Sequence, residues 1–260
     1  MYYARHLVSR MLSKPKTPLL KVLALNLIVI VGTVVISAPF QSVGHQFKEG
    51  GIITYFSVVQ LFILSYLAYL VFKARADGFK HPWHSSIAIW GIASLGFSFL
   101  ALDDWLSIHE KLDMLIHRVG QFQETGVSDR IDDLIVGLYG VMAVGLLVIY
   151  RRELMRYKSV LGYVVIGFVL MFLMVGIDVV TNRDDLLILL FSRETTTFIM
   201  GWIFVPEESF KLFSEAFLIV AVHRCYEIAK HLNSGAVSTL YQPAPAAVRM
   251  PQQVEPSRDA

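Results

Sequence analysis

A single cysteine, Cys225, is all the thiol chemistry in this chain, and one thiol can form neither an internal disulfide nor a Cys-based zinc site. Charge is also scarce. Asp, Glu, Lys and Arg make up 17% of the residues, where soluble domains carry about a quarter. The net charge is only +2 and no basic stripe gathers on any segment, so nothing points to a nucleic-acid partner. A phosphate-cradling glycine loop, a nucleophile elbow and a convincing internal repeat are missing too. What remains is apolar: 55% of the 260 residues are hydrophobic and the mean hydropathy is +0.56.

The apolar residues come in blocks long enough to cross a bilayer, which takes about 20 helical residues. Six blocks qualify, at roughly 19–40, 52–72, 85–106, 131–150, 160–180 and 206–223. The expected fold is an all-α, polytopic membrane helix bundle of six transmembrane helices, with the lipid bilayer as its first partner. The first block follows Arg5, Arg10, Lys14 and Lys16 and resembles a signal peptide. Taking Ala38 as the −1 position, however, puts bulky Ile36 at −3 and Pro39 at +1, so the block reads as a retained anchor. Sixteen Lys and Arg fall on the side of the N-terminus, of the loops after spans two and four, and of the C-terminal tail; six fall on the other. The positive-inside rule then places both termini in the cytoplasm.

Around this transmembrane domain, 19–232, lie three further segments. Residues 1–18 form a basic leader, either a short amphipathic helix on the membrane surface or a chain that only sets topology, closed by Lys14-Pro15-Lys16-Thr17-Pro18. Residues 184–205 hold two apolar runs flanking Ser192-Arg193-Glu194-Thr195-Thr196-Thr197, each too short to cross, which suits an interfacial segment on the outer face. Residues 233–260, rich in Ser, Ala, Pro and Gln, cannot bury a core and are expected to be a disordered cytoplasmic tail.

Chemistry concentrates in 101-ALDDWLSIHEKLDMLIH-117, at the outer end of span three. Its apolar stripe (Leu102, Leu106, Leu112, Leu115, Ile116) predicts that the helix runs on unbroken to about His117, within an outer extension around 104–130. On such a helix Asp103, Ser107, Glu110, Asp113 and His117 share a face, and His109 and Asp113 form an i, i+4 pair. Other spans bring acids to the same side: Asp132 and Asp133 open span four, Asp178 closes span five, Asp184 and Asp185 follow, and Glu207 and Glu208 sit beside Pro206 in the first turn of span six. At helix starts a solvated cap is the ordinary explanation. Glu215 differs, because it lies nine residues into span six, ~13 Å below its start at 1.5 Å per residue. An ionisable group at that depth costs at least ~2.5 kcal/mol without a partner or a wet cavity, and Lys211, one turn away, is the expected partner.

Three readings stay open. In a metal-dependent membrane enzyme, His109, Glu110, Asp113 and His117, completed from Asp103, Asp104, Asp178, Glu208 or Glu215, would hold Zn or Fe. The metal would activate water against a lipid or small substrate, with Glu110 or Glu215 as general base and Lys211 beside them. HEKLD lacks the second histidine of a zincin helix, however, and Glu110 and His117 do not have di-iron spacing. In a proton- or cation-coupled transporter, Glu215, Lys211 and Asp178 would form a relay. In a structural or accessory subunit, the polar groups fix packing within the chain, within a homo-oligomer or against a membrane partner. Cys225, His223 and His81-Pro82-Trp83-His84 read as helix-end and interfacial residues.

FLALDDWLSIHEKLD, with the later Glu207, Glu208 and Glu215, resembles a stretch of uncharacterised bacterial multi-pass membrane proteins that carry an LDD–four residues–HE pattern late in one span. Leu102, Asp103, Asp104, His109 and Glu110 carry the likeness, which covers parts of spans three and six. It implies a bacterial cytoplasmic (inner) membrane protein and brings no established activity.

Overall fold

A computed structural model describes residues 17–40, 43–48, 50–77, 79–120, 131–181 and 185–240. The leader up to 16, residues 121–130 of the expected outer extension, Asp184 and the tail beyond 240 lie outside the described residues, as do the side chains of Asp132, Asp133 and Asp185. The described chain is helical and contains no strand. Its helices are α1 (Thr17–Ser37), α2 (Val43–Gln46), α3 (Ile52–Ala76), α4 (Ala88–Leu106), α5 (Ile108–Gly120), α6 (Ile131–Ile149), α7 (Arg151–Leu154), α8 (Leu161–Thr181), α9 (Asp185–Leu190), α10 (Arg193–Trp202) and α11 (Phe204–Leu240).

Four of these, α1 from Pro18, α3, α4 and α8, are long and apolar enough to cross a membrane. A fifth is α6 taken with the segment after it, which turns by 72° at Tyr150. The expected sixth span falls on α11, which is not among the apolar helices, carrying Glu207, Glu208, Lys211 and Glu215 in its first turns and Arg224, Glu227 and Lys230 further along. Yet α11 is the centre of the bundle. It packs against α8, α3 and α1, while α3 packs on α4, and α6 on α8. Leu212, Ser214, Glu215, Ala216, Val220, Ala221, Cys225 and Ala229 are all buried, so burial runs right round it. No large apolar side chain of α11 is exposed before Leu232, whereas α1, α3, α6 and α8 turn large apolar side chains outward, Ile28, Val35, Tyr66, Val141, Val165 and Val169 among them. The apolar helices form the jacket and the polar helix is the filling. That is the arrangement a hydrocarbon solvent favours.

Close approach makes the centre possible. A Cβ on Gly167 of α8 would lie 2.9 Å from the Leu218 side chain and 3.3 Å from the Ser214 carbonyl oxygen, and Ser214 Oγ donates to the Gly167 carbonyl at 2.8 Å. Small residues at such crossings let helices bond through their backbones. At the end where α1 and α4 finish and α3 and α11 begin, Gly50, with φ of 74°, turns the chain from α2 into α3. This end carries Asp104 and Glu208 and is here termed the acidic end. At the opposite, basic end, Glu153 is buried between Arg75 at 3.1 Å and Arg156 at 3.0 Å, and Tyr157 packs edge-on against Trp90.

The continuous helix expected through His117 is interrupted. Ser107 takes a left-handed conformation, φ 47°, ending α4, and its N–H bonds to the Asp103 carbonyl. A new helix, α5, starts at Ile108. Ser107 and Glu110 stand at capping-box spacing in the sequence, a helix-start signal set inside an apolar stripe that looks uninterrupted, and the cap the structure shows is Asp103, which accepts the His109 N–H. The single face predicted for Asp103, Ser107, Glu110, Asp113 and His117 is therefore divided between two helices. Segment 184–205 resolves into α9 and α10, the latter capped by Ser192 Oγ accepting from the Thr195 N–H. Leu189, Leu190, Phe198 and Trp202 stay exposed there.

Gly167→Ala should lower the stability of the detergent-solubilised protein by about 1–3 kcal/mol, because Leu218 and the α11 backbone must give way. Gly176→Ala, on the same helix with open space around it, should be neutral or stabilising. Thermal unfolding of the pair, side by side, checks the packing.

Candidate functional site

Asp103 and Asp104 are neighbours, so their side chains diverge by about 100° round the helix. Asp103 is buried and turns toward the start of α5. Its Oδ1 accepts the His109 backbone N–H at 2.9 Å and its Oδ2 lies 3.1 Å from His109 Nδ1. A carboxylate placed at orphan N–H groups of a first helical turn is an N-terminal cap, and the helix dipole favours its charge. The left-handed Ser107 is what brings α5 back onto the aspartate that precedes it. His109 thus pairs with Asp103, and the expected His109–Asp113 pairing gives way to Asp113–His117, with Asp113 Oδ1 3.0 Å from His117 Nδ1. Lys111 Nζ caps the other side of the break by donating to the Leu106 carbonyl at 2.6 Å.

Asp104 faces the bundle and receives Lys211 Nζ of α11 on Oδ1 at 2.5 Å. Glu208, one turn before Lys211, holds the same ammonium at 3.5 Å. The expected Lys211–Glu215 pairing is met only through space, since the direct contacts of Lys211 are with Asp104 and Glu208. The ammonium bonds most closely to the carboxylate across the helix interface, Asp104, with Glu208 of its own helix further off.

Glu215 is left with a different partner. It is only 5% exposed, and its Oε1 accepts from Ser57 Oγ of α3 at 2.6 Å. Its Oε2 is buried with no hydrogen-bond partner among the described residues. One turn along each helix lies a second polar group, which the sequence reading does not include. Gln60 Nε2 donates to Asn26 Oδ1 at 3.0 Å, and Asn26 Nδ2 donates to the Leu212 carbonyl at 2.6 Å. Asn26 is fully buried and Gln60 is 3% exposed, with its Oε1 also unpartnered. A signal for them exists in the sequence: an amide deep in an apolar run costs several kcal/mol to leave unsatisfied in hydrocarbon, the argument applied to Glu215. Attention to ionisable residues alone passes over these two.

The predicted site residues therefore separate into three groups. Asp104, Lys211, Glu208 and Glu215 converge at the acidic end of α4, α3 and α11. Asp103 with His109, and Asp113 with His117, form two local pairs along α4 and α5. Glu110 is exposed on α5, and Asp178 is half-buried three residues before the end of α8. Among the described residues no three His, Cys, Asp or Glu side chains are grouped so as to hold a metal ion. A groove of about 340 Å³, lined by Ile28, Val29, Thr33, Ile36 and Ile52, runs along the apolar jacket beside α1, and none of the predicted site residues lines it.

Lys211→Met should destabilise the protein by about 3–5 kcal/mol, since Asp104 keeps its charge in the interior without a partner. Asp104→Asn combined with Lys211→Met should cost clearly less than the two single effects added together. A double-mutant cycle on thermal unfolding that gave simple additivity would remove the pair from the account.

No curated protein and no solved structure matches the chain. A family described as "Domain of unknown function (DUF8692)" matches residues 19–225, the stretch that holds the jacket helices and the polar face of α11. The chain belongs to that family.

Proposed function

We propose that this is a membrane transporter of the proton- or cation-coupled class, with Glu215 as the group that exchanges the coupling ion. The observation that carries the reading is the mismatch at Glu215. Lys211 is matched by Asp104, so the Glu215 carboxyl, buried in the bundle, has a neutral hydroxyl as its described partner and one open oxygen. Lys211, one turn away, acts on Glu215 through space but bonds Asp104 and Glu208, so three carboxylates share one ammonium; a proton or a cation supplies the positive charge that is short. A group that must carry an ion in order to be buried is suited to loading and releasing one.

The membrane setting goes with this reading. Four or five apolar spans jacket the polar α11, which this reading counts as a further span. The distribution of Lys and Arg favours both termini on the cytoplasmic side, and the LDD–HE resemblance favours a bacterial inner membrane. The accessory-subunit reading draws on the Asn26–Gln60 and Ser65–Ser94 bonds between helices, which would hold a passive bundle equally well. The metal-dependent hydrolase reading draws on His109, Asp113 and His117, whose described contacts are with neighbouring carboxylates in pairs rather than around one centre.

Reconstituted into liposomes with an imposed ion gradient, the wild-type protein should carry proton or cation flux, and Glu215→Gln should reduce it at least about tenfold while the protein stays folded. Equal flux in wild type and variant would defeat the assignment of Glu215.

A further inference from the structure

From the open oxygens around Glu215, and resting on the exchange reading above, we infer that the coupling ion is Na+, bound in a buried seam between α3 and α11 by Glu215, Gln60 and Ser57. Two buried side-chain atoms in this seam lack partners among the described residues, Glu215 Oε2 and Gln60 Oε1, and both are oxygens. Each side chain is more than nine-tenths buried. An unmet buried acceptor costs about 1–3 kcal/mol, and folded proteins rarely leave one without a reason. Both open atoms are acceptors, so a proton on the carboxyl or a bound cation would complete them, and the donor set favours the cation.

The seam is a built one. Ser57 and Gln60 are one turn apart on α3, as Leu212 and Glu215 are on α11. Three bonds tie these turns together: Ser57 to Glu215 at 2.6 Å, Gln60 to Asn26 at 3.0 Å, and Asn26 to the Leu212 carbonyl at 2.6 Å. Asn26 holds the Gln60 amide with its nitrogen turned to α1, which leaves its oxygen as the free end. Ser57 donates its proton to Glu215 and keeps its lone pairs. The set is thus one carboxylate and neutral oxygens, the donor type that hard cations take. A single negative charge suits a monovalent ion. A divalent ion such as Mg2+ or Ca2+ is ordinarily met by more carboxylate charge than the one Glu in this seam, so a monovalent ion, its remaining positions taken by backbone carbonyls or water, fits this set better. Asp104 stays outside the set, since Lys211 holds it.

The test is thermal unfolding of the intact protein in nanodiscs, at fixed pH and ionic strength, with NaCl, KCl or choline chloride as the salt. Na+ should raise Tm on the order of 2–4 °C above choline at saturation, with K+ well below it. The Na+-specific rise should vanish in Glu215→Gln and shrink in Ser57→Ala, the milder change kept in case the first variant folds poorly. Equal Tm in the three salts overturns the Na+ site. Glu215-dependent proton flux that is indifferent to Na+ overturns it too, while leaving exchange at Glu215 standing. Na+-specific stabilisation without any flux would keep the site and defeat transport.

Discussion

A charged helix inside an apolar jacket is the constraint from which the rest of this structure follows. Lys211 lies on α11, which other helices surround, and an unmatched ammonium there would be prohibitive. Its partner comes from α4, and the requirement that Asp104 reach it fixes where α4 must end. One residue earlier, Asp103 points elsewhere and caps the helix that begins after the break. Two adjacent aspartates thus do separate work, one matching a charge across an interface and one turning the chain.

The buried amides are a second layer of the same problem. Asn26 is the polar residue in the middle of α1, otherwise among the most lipid-like helices, and it ties α1 to the α11 backbone. In a bilayer, apolar contact between helices has little advantage over contact with lipid, so hydrogen bonds and close packing decide which faces meet. Asn26, Ser65 and Ser214 each bond a carbonyl on a neighbouring helix, and together they define the register of α1, α3, α4, α8 and α11.

Much of this is legible in the residues. The apolar blocks mark the jacket helices to within about four residues at each end, and depth alone distinguishes Glu215 from the acids at helix starts. Two features escape local pattern for physical reasons. The apolar stripe from Leu102 to Ile116 reads as one helix because hydrophobic periodicity is blind to a single left-handed residue, although Ser107 and Glu110 carry the capping signal. Sequence spacing gives Lys211 to Glu215 because it sees only partners on the same helix. The partner on α4 lies 107 residues away, and tertiary packing, which no local pattern encodes, selects it.

The chain supplies its own comparison for what a buried carboxylate means. Glu153 and Glu215 are both almost wholly enclosed, and neither could be charged there unassisted. Glu153, at the basic end, has a guanidinium for each oxygen, Arg75 on one and Arg156 on the other. That is the pattern of a carboxylate buried to clamp α3 to the α6–α8 connection: its charge is cancelled and its acceptors are filled. Glu215 has the same burial with one hydroxyl in place of two guanidiniums. If its role were to clamp helices, Arg or Lys at position 57 or 60 would serve better, and a pair of apolar residues would serve at least as well. A bundle that satisfies one buried acid so fully leaves the other half-satisfied at a cost in stability, a cost that the ion exchange proposed above would put to use.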